Sequence, residues 1–332
     1  MPMKKFINAP ENLTVELLEG FAEAYKKQVK LEGKTVVRAT PKSDDKVALV
    51  TLGGAGHEPA LSGCVGQGSL DASVVGDIFA APGAPAVVAA LEATKRDAGT
   101  LLIILNHAGD VLSGEKAFNK AVKAGINVQK ILTHEDISAG KDAPLEDRRG
   151  LVGCVVLYKI AGAAAEAGKS LDEVVAIAER FNENMRTLIV GAVPATHPAN
   201  GASLGELADD EMEVGMGQHG EGGGGVMKLA SADETARIML DKILNTMEVN
   251  SGDKLFVMIN GCGATTLMEQ CIVLRAVKNL LEAKGIELVR SMVGEFLTVQ
   301  EMGGFQMCVA KMDDELIALF DAPCDTPAYT VK

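Results

Sequence analysis

Thr100 to Leu105 reads TLLIIL, five aliphatic side chains behind one threonine, and runs straight into the polar cluster Asn106–His107. A strand that is apolar at every position has to be covered on both faces, which in most folds means a parallel sheet between layers of helices. Two other segments share the pattern in weaker form, KVALVTL from Lys46 and INVQKIL from Ile126. Between the three strands lie APAVVAALEATKRDAG and GEKAFNKAVKAG, with apolar residues at helical spacing and a terminal Gly99 and Gly125. Short strands alternating with amphipathic helices predict crossover connections and an α/β fold. Two further helices are expected in LVGCVVLYKIAGAAAEAG and SLDEVVAIAERFNENM, the second opening on Ser170 with Glu173 three residues on, a capping-box pattern. TLIVGAV, ADETARIMLDKILNTM, KLFVMIN, TTLMEQCIVLRAVKNLLEAKG, IELVRSMV and FQMCVAKM then form a second set of strands and helices. At 332 residues the chain exceeds the ~250–300 at which a single core stops growing. Two α/β domains are therefore expected, 1–186 and 187–332, each with a mainly parallel or mixed sheet covered by helices.

Charge and composition remove several functions. The net charge is −13, with 45 acidic against 32 basic residues and no long Lys/Arg block, so nucleic acid is not an expected partner. Apolar runs reach roughly 10 residues, half of the ~20 that span a bilayer. The start, MPMKKFINAPENL, has no apolar core of a signal peptide. The six cysteines show no CxxC spacing and are expected to be buried, reduced thiols, neither disulfides nor metal ligands. A cytoplasmic protein with no membrane partner is expected.

Three loops carry the chemistry. VTLGGAGHEPA runs a strand into Gly53, Gly54, Ala55, Gly56, His57 and Glu58. Glycine turns at the carboxyl end of a strand present backbone N–H groups to a ligand. No Lys-Ser/Thr follows, which excludes a P-loop, and no second histidine follows, which excludes a zinc-binding HExxH helix. The plain alternative is a tight turn before a helix N-terminus, with Glu58 complementing its dipole. The second loop, NHAGD, brings Asn106, His107 and Asp110 to the end of the TLLIIL strand, where a carboxylate can take a proton or simply satisfy turn N–H groups. The third, EVGMGQHGEGGGG (213–225), sets His219 among seven glycines. Glycine lets backbone approach a ligand closely, although such a stretch also suits a mobile surface loop. His134 and His197 are expected to be peripheral.

GGAGHEPA, GDIFAAP, LLIILNHAGD, DRRG, DEMEVGMGQHGE and DDELIALFDAPCDTPA occur in order over nearly the whole chain. Together they resemble the K subunit of dihydroxyacetone kinases. The resemblance implies a homodimer of two-domain α/β subunits that holds dihydroxyacetone as a covalent hemiaminal, on the residue that matches His219 here. It implies His57 and Asp110 as the proton-handling pair, and the backbone of Gly54, Ala55 and Gly56 as lining for the substrate. It further implies that ATP or ADP with magnesium sits on a separate L subunit, recharged by a phosphotransferase-system protein or by exchange of ATP. This chain itself would then bind no nucleotide or metal. Two departures stand out. Leu105 and His107 replace a lysine and an aromatic, and a leucine cannot donate the lysine's hydrogen bond to a substrate hydroxyl, so another short ketose such as erythrulose is the alternative substrate. Gly222 to Gly225 replace a proline- and arginine-containing segment, which implies a different partner or weaker phosphate contacts. Two other readings compete: a regulatory relative that binds the ketone and docks a transcriptional coactivator, and an ordinary sugar-binding protein without covalent chemistry.

Overall fold

The computed structural model describes residues 5–332 and contains two compact units. The first takes residues up to 133, 154–180 and 318–332. Its elements begin with α1 (Leu13–Ala24), β1 (Val29–Glu32), β2 (Thr35–Arg38), β3 (Ala48–Ala55) and β4 (Ala72–Ile78). They continue with α2 (Ala84–Thr94), β5 (Thr100–Leu105), α3 (Ala108–Lys123), β6 (Val128–Thr133), α4 (Gly153–Glu166) and α5 (Leu171–Asn184). The sheet order is β1-β2-β4-β3-β5-β6. Strands β4, β3, β5 and β6 run parallel, and the β1–β2 hairpin adds antiparallel to β4.

β5 sits inside this sheet and is buried at all six positions, as its unbroken apolar sequence requires. On one face Leu102 and Ile104 join Val50 and Leu52 of β3 against Val87 and Leu91 of α2 and Ala117 and Ala121 of α3. On the other, Thr51 donates to the Ile103 carbonyl at 2.9 Å and shares a 2.9 Å hydrogen bond with the Tyr158 hydroxyl of α4. The expected capping box opens α5: the Ser170 backbone N–H and hydroxyl each donate to Glu173 at 2.8 Å, and the Glu173 N–H returns to Ser170 Oγ at 3.4 Å.

The second unit takes 134–153 and 181–317. Its strands and helices are β7 (Met185–Val193), β8 (Glu211–Val214), β9 (Val226–Lys228), α6 (Ala232–Leu244), β10 (Lys254–Gly261), α7 (Leu267–Ala283), β11 (Glu287–Gly294) and β12 (Gly303–Lys311). The sheet order is β11-β10-β12-β7-β8-β9. Leu188, Val257 and Met307 pack there with Met239 and Leu240 of α6 and Val277 and Leu281 of α7. α8 (Asp314–Asp321) and the short pair β13 (Cys324–Asp325) and β14 (Thr330–Val331) follow.

The second sheet is mixed, as the expected fold allows, and mostly antiparallel: only β10 and β11, joined through α7, are parallel. The 295–302 connection from β11 to β12 holds no crossover helix, so β12 returns antiparallel to β10. A single boundary after Arg186 does not describe the units, because 134–153 pairs with β7. Asp136 bridges Thr187 in parallel, and the Thr187 N–H donates to the Glu135 carbonyl at 2.8 Å. The hairpin β1–β2 and strands β4, β8 and β9 add to the expected set. Five cysteines are buried, but Cys271 is exposed, on the same face of α7 as the exposed Met268 and Ile272. Among the described residues no helix is long and apolar enough to cross a membrane.

Candidate functional site

In the first unit, β3 and β5 are adjacent and parallel, Leu52 opposite Ile104, so their carboxyl ends open on one edge of the sheet, where α/β proteins bind ligands. Beyond β3 the chain stays close to the 79–82 loop. The Phe79 N–H donates to the Ala55 carbonyl at 2.8 Å, and a Cβ on Gly54 would lie 2.7 Å from the Ala80 nitrogen. Gly56 turns with φ +104°, a conformation that side-chain-bearing residues rarely adopt. His57 follows, 5% exposed, its ring tilted on Phe79 with centroids 5.0 Å apart. The helix start of the plain alternative is absent, and only a three-residue 3₁₀ turn at Ser62–Cys64 follows. Glu58 instead folds back to accept the Gly56 N–H at 2.9 Å, and burial pushes its carboxyl up.

At the end of β5, Leu105 is buried and offers a ligand only aliphatic surface. His107 occupies the N-cap position of α3 in extended conformation without a side-chain cap bond. Asp110 lies in the first turn of α3. It is 9% exposed, and its Oδ1 is buried without a hydrogen-bond partner among the described residues. Burial pushes its carboxyl up to about 7. A buried, incompletely satisfied carboxyl is costly to a fold, and at a strand end it is a candidate functional group.

In the second unit, His219 follows β8 in a loop that is tied down throughout. The Gly215 N–H donates to the Ile189 carbonyl at 2.7 Å, the Gly217 N–H to the Glu221 carbonyl at 2.6 Å and the Gly220 N–H to the Gly217 carbonyl at 3.1 Å. The His219 N–H donates to Glu221 Oε2 at 2.9 Å, leaving the ring about one third exposed, 32%. Glu221 in turn accepts from Arg149 at 2.9 Å. After Glu221 the glycine run doubles back on β8: Gly223 donates to Glu213 at 2.9 Å, and a Cβ on Gly224 would fall 1.4 Å from the Val214 carbonyl oxygen. Gly215, Gly220 and Gly224 serve close backbone packing, and the free-loop reading does not describe them. Gly224→Ala is therefore expected to release the 213–225 segment, raising its hydrogen exchange and weakening any ligand capture at His219 with the far-UV spectrum unchanged. Gly20→Ala, in the open interior of α1, is the control, with a gain of up to about 1 kcal/mol. Unchanged exchange in the Gly224 variant would contradict this packing.

Sequence alone does not single out the residues that organise His219. Arg149 lies in DRRG and Glu221 in HGE, both within the quoted motifs, but Asp136 and Ser138, which hold Arg149, carry no local signal. His134 bonds Asn182 at 3.1 Å, and His197 accepts the Ala199 N–H at 3.2 Å.

Two α/β units with glycine-shaped loops, a histidine and a buried carboxyl at one sheet edge and a second histidine on a braced glycine loop define a ligand-handling α/β protein. Residues 19–328 match the Dak1 domain, and the chain belongs to that family. It is 37% identical over 329 residues to the PTS-dependent dihydroxyacetone kinase 1, dihydroxyacetone-binding subunit DhaK of Listeria innocua, covering 98% of this chain and 100% of that protein. It is 36% identical over 327 residues to the D-erythrulose kinase of Mycolicibacterium smegmatis, covering 98% of this chain and 56% of that protein. Among solved structures, the dihydroxyacetone kinase operon co-activator DhaQ matches with a TM-score of 0.88 at 30% identity, over 94% of this chain and 96% of that one.

Proposed function

We propose that this chain is the substrate-binding subunit of a dihydroxyacetone-type ketose kinase. The neutral imidazole of His219 adds its lone pair to the ketone carbon, the carbonyl electrons move to oxygen, and that oxygen gains the proton that the ring's other nitrogen gives up, giving a hemiaminal. Covalent capture anchors a small, flexible triose that offers few contacts, and it selects ketones over alcohols. Asp110, assisted by His57, accepts the proton of the terminal hydroxyl as that oxygen attacks phosphorus. The backbone of Gly54, Ala55 and Gly56 lines the substrate. The phosphoryl group comes from a nucleotide with magnesium on a separate L subunit, supplied either by a phosphotransferase-system protein or by ATP.

Asp110 carries this reading. A protein that only senses a ketone needs capture, whereas a buried carboxyl pushed up to about 7 is placed to act as a base at neutral pH. Leu105 removes one hydrogen-bond donor from the wall, and erythrulose is the alternative ketose. A regulatory relative that docks a coactivator is the second reading, favoured by the likeness to DhaQ. A homodimer fits the exposed apolar residues of the second unit: Val193, Leu229 and Ile272 border one groove, and Leu267 and Met268 are exposed on the same helix as Ile272. Mixing the chain with L subunits of both donor types and following phosphate by ³¹P NMR tests the function. Transfer to dihydroxyacetone or erythrulose is expected, and tight ketose binding without transfer to either would exclude the kinase and leave the sensor.

A further inference from the structure

The loop bearing His219 is held by a guanidinium to which the proposed chemistry gives no role. Arg149 Nε donates to Asp136 Oδ2 at 2.6 Å, Nη1 to Glu221 Oε1 at 2.9 Å, and Nη2 to Ser138 Oγ at 3.0 Å and to the Gly215 carbonyl at 3.1 Å. Asp136 is itself fixed, its side chain 3% exposed, accepting the Ser138 N–H at 2.8 Å and hydroxyl at 2.9 Å. The planar fork of arginine therefore leaves Glu221 little freedom. The second oxygen of Glu221 takes the His219 N–H at 2.9 Å and lies 4.0 Å from His219 Nδ1. One carboxylate thus faces the partly buried guanidinium on one side and the Nδ1 edge of the imidazole on the other.

We propose that Arg149 is a positioning residue that acts through Glu221: it holds the carboxylate on the Nδ1 side of His219, so that Nδ1 carries the proton and Nε2 keeps the lone pair. This rests on the reading of His219 as the nucleophile toward a ketone. In a neutral imidazole one nitrogen holds the proton and the other the lone pair, and the environment of the first decides which. When Nε2 bonds to the carbonyl carbon, the carbonyl electrons pass to oxygen and the ring becomes cationic. Glu221 then faces the acidified Nδ1–H and stabilises that charge. Loss of the Nδ1 proton to Glu221 and its delivery through water to the new alkoxide closes the balance as a neutral hemiaminal. Without Arg149, Glu221, whose side chain is 41% exposed, is free to turn to solvent. A mere loop tie would brace the backbone and leave the tautomer unaffected.

The test uses ligand-free, ¹⁵N-histidine-labelled protein and two-bond ¹H–¹⁵N correlation. His219 is expected in the Nδ1–H form in the parent, with the Nε2–H form rising in both Arg149→Met and Glu221→Gln. Ketose affinity is expected to fall about tenfold or more in each, the scale seen when a group that orients a functional histidine is lost. The double variant should be no worse than Glu221→Gln alone, because the two side chains act in series. An unchanged tautomer in either variant, or additive losses in the double variant, overturns the proposal. Should Arg149→Met fail to fold, Glu221→Gln with Arg149 intact decides it by the same tautomer readout. A parent protein that binds no ketose would overturn the proposed function, while the tautomer measurement would still judge the positioning role.

Discussion

His219→Ala is expected to abolish tight ketose capture and leave the fold intact. The imidazole is outside both cores, on a loop whose hydrogen bonds are made by the backbone, Glu221 and Arg149. Removing the ring therefore takes away the nucleophile while the hydrogen bonds that tie the loop stay in place. A triose has few atoms with which to bind, and Leu105 supplies no polar contact. The loss of affinity should therefore be at least a hundredfold, about 2.7 kcal/mol. Titration calorimetry with dihydroxyacetone and with erythrulose, beside an unchanged circular dichroism spectrum, checks it. Unaltered affinity for both would remove His219 from the mechanism.

Asp110→Asn is expected to separate capture from turnover. The variant should bind ketose yet fail to transfer phosphate, because the amide cannot take the hydroxyl proton. In the parent, burial pushes the carboxyl up to about 7, so the basic form is lost as pH falls through that value. Turnover should drop about tenfold per pH unit below about 7, and this limb should be missing from any residual activity of the variant. Stability gives an independent check. The group titrates near 3.8 when unfolded and near 7 when folded, so between those values the folded state binds more protons than the unfolded one. Its contribution is full below the unfolded value and is lost as pH rises through about 7. Asp110→Asn should thus gain on the parent by up to about 4 kcal/mol between about pH 4 and about pH 8. Denaturant titrations at both ends measure this. Retained turnover in the variant would exclude Asp110 as the base.

Where sequence and structure agree, the information is local. TLLIIL needs burial on both faces wherever it lies, and it is an interior strand buried at every position. The Ser170–Glu173 box is a four-residue signal and forms as written. α3 is longer than its periodicity shows, starting at Ala108, since Gly114 weakens the helical pattern while leaving room for Ile104: a Cβ there would lie 2.5 Å from its Cδ1. What the sequence does not display is long-range pairing. The Asp136–Thr187 bridge that moves 134–153 into the second unit, and the antiparallel course of β12, depend on partners that no local window contains. The same holds at the candidate site. Glycine spacing and strand ends locate His57, Asp110 and His219 on turns and helix starts. Arg149 and Glu221, 72 positions apart, meet only once 134–153 has joined the second sheet.

The most direct measurement is a crystal of this chain soaked with dihydroxyacetone and, separately, with erythrulose. Continuous density from His219 Nε2 to the ketone carbon, with a tetrahedral carbon and the Nδ1 edge toward Glu221, is the expected result. A ketose bound with a planar carbonyl and no bond to His219 would contradict the covalent account.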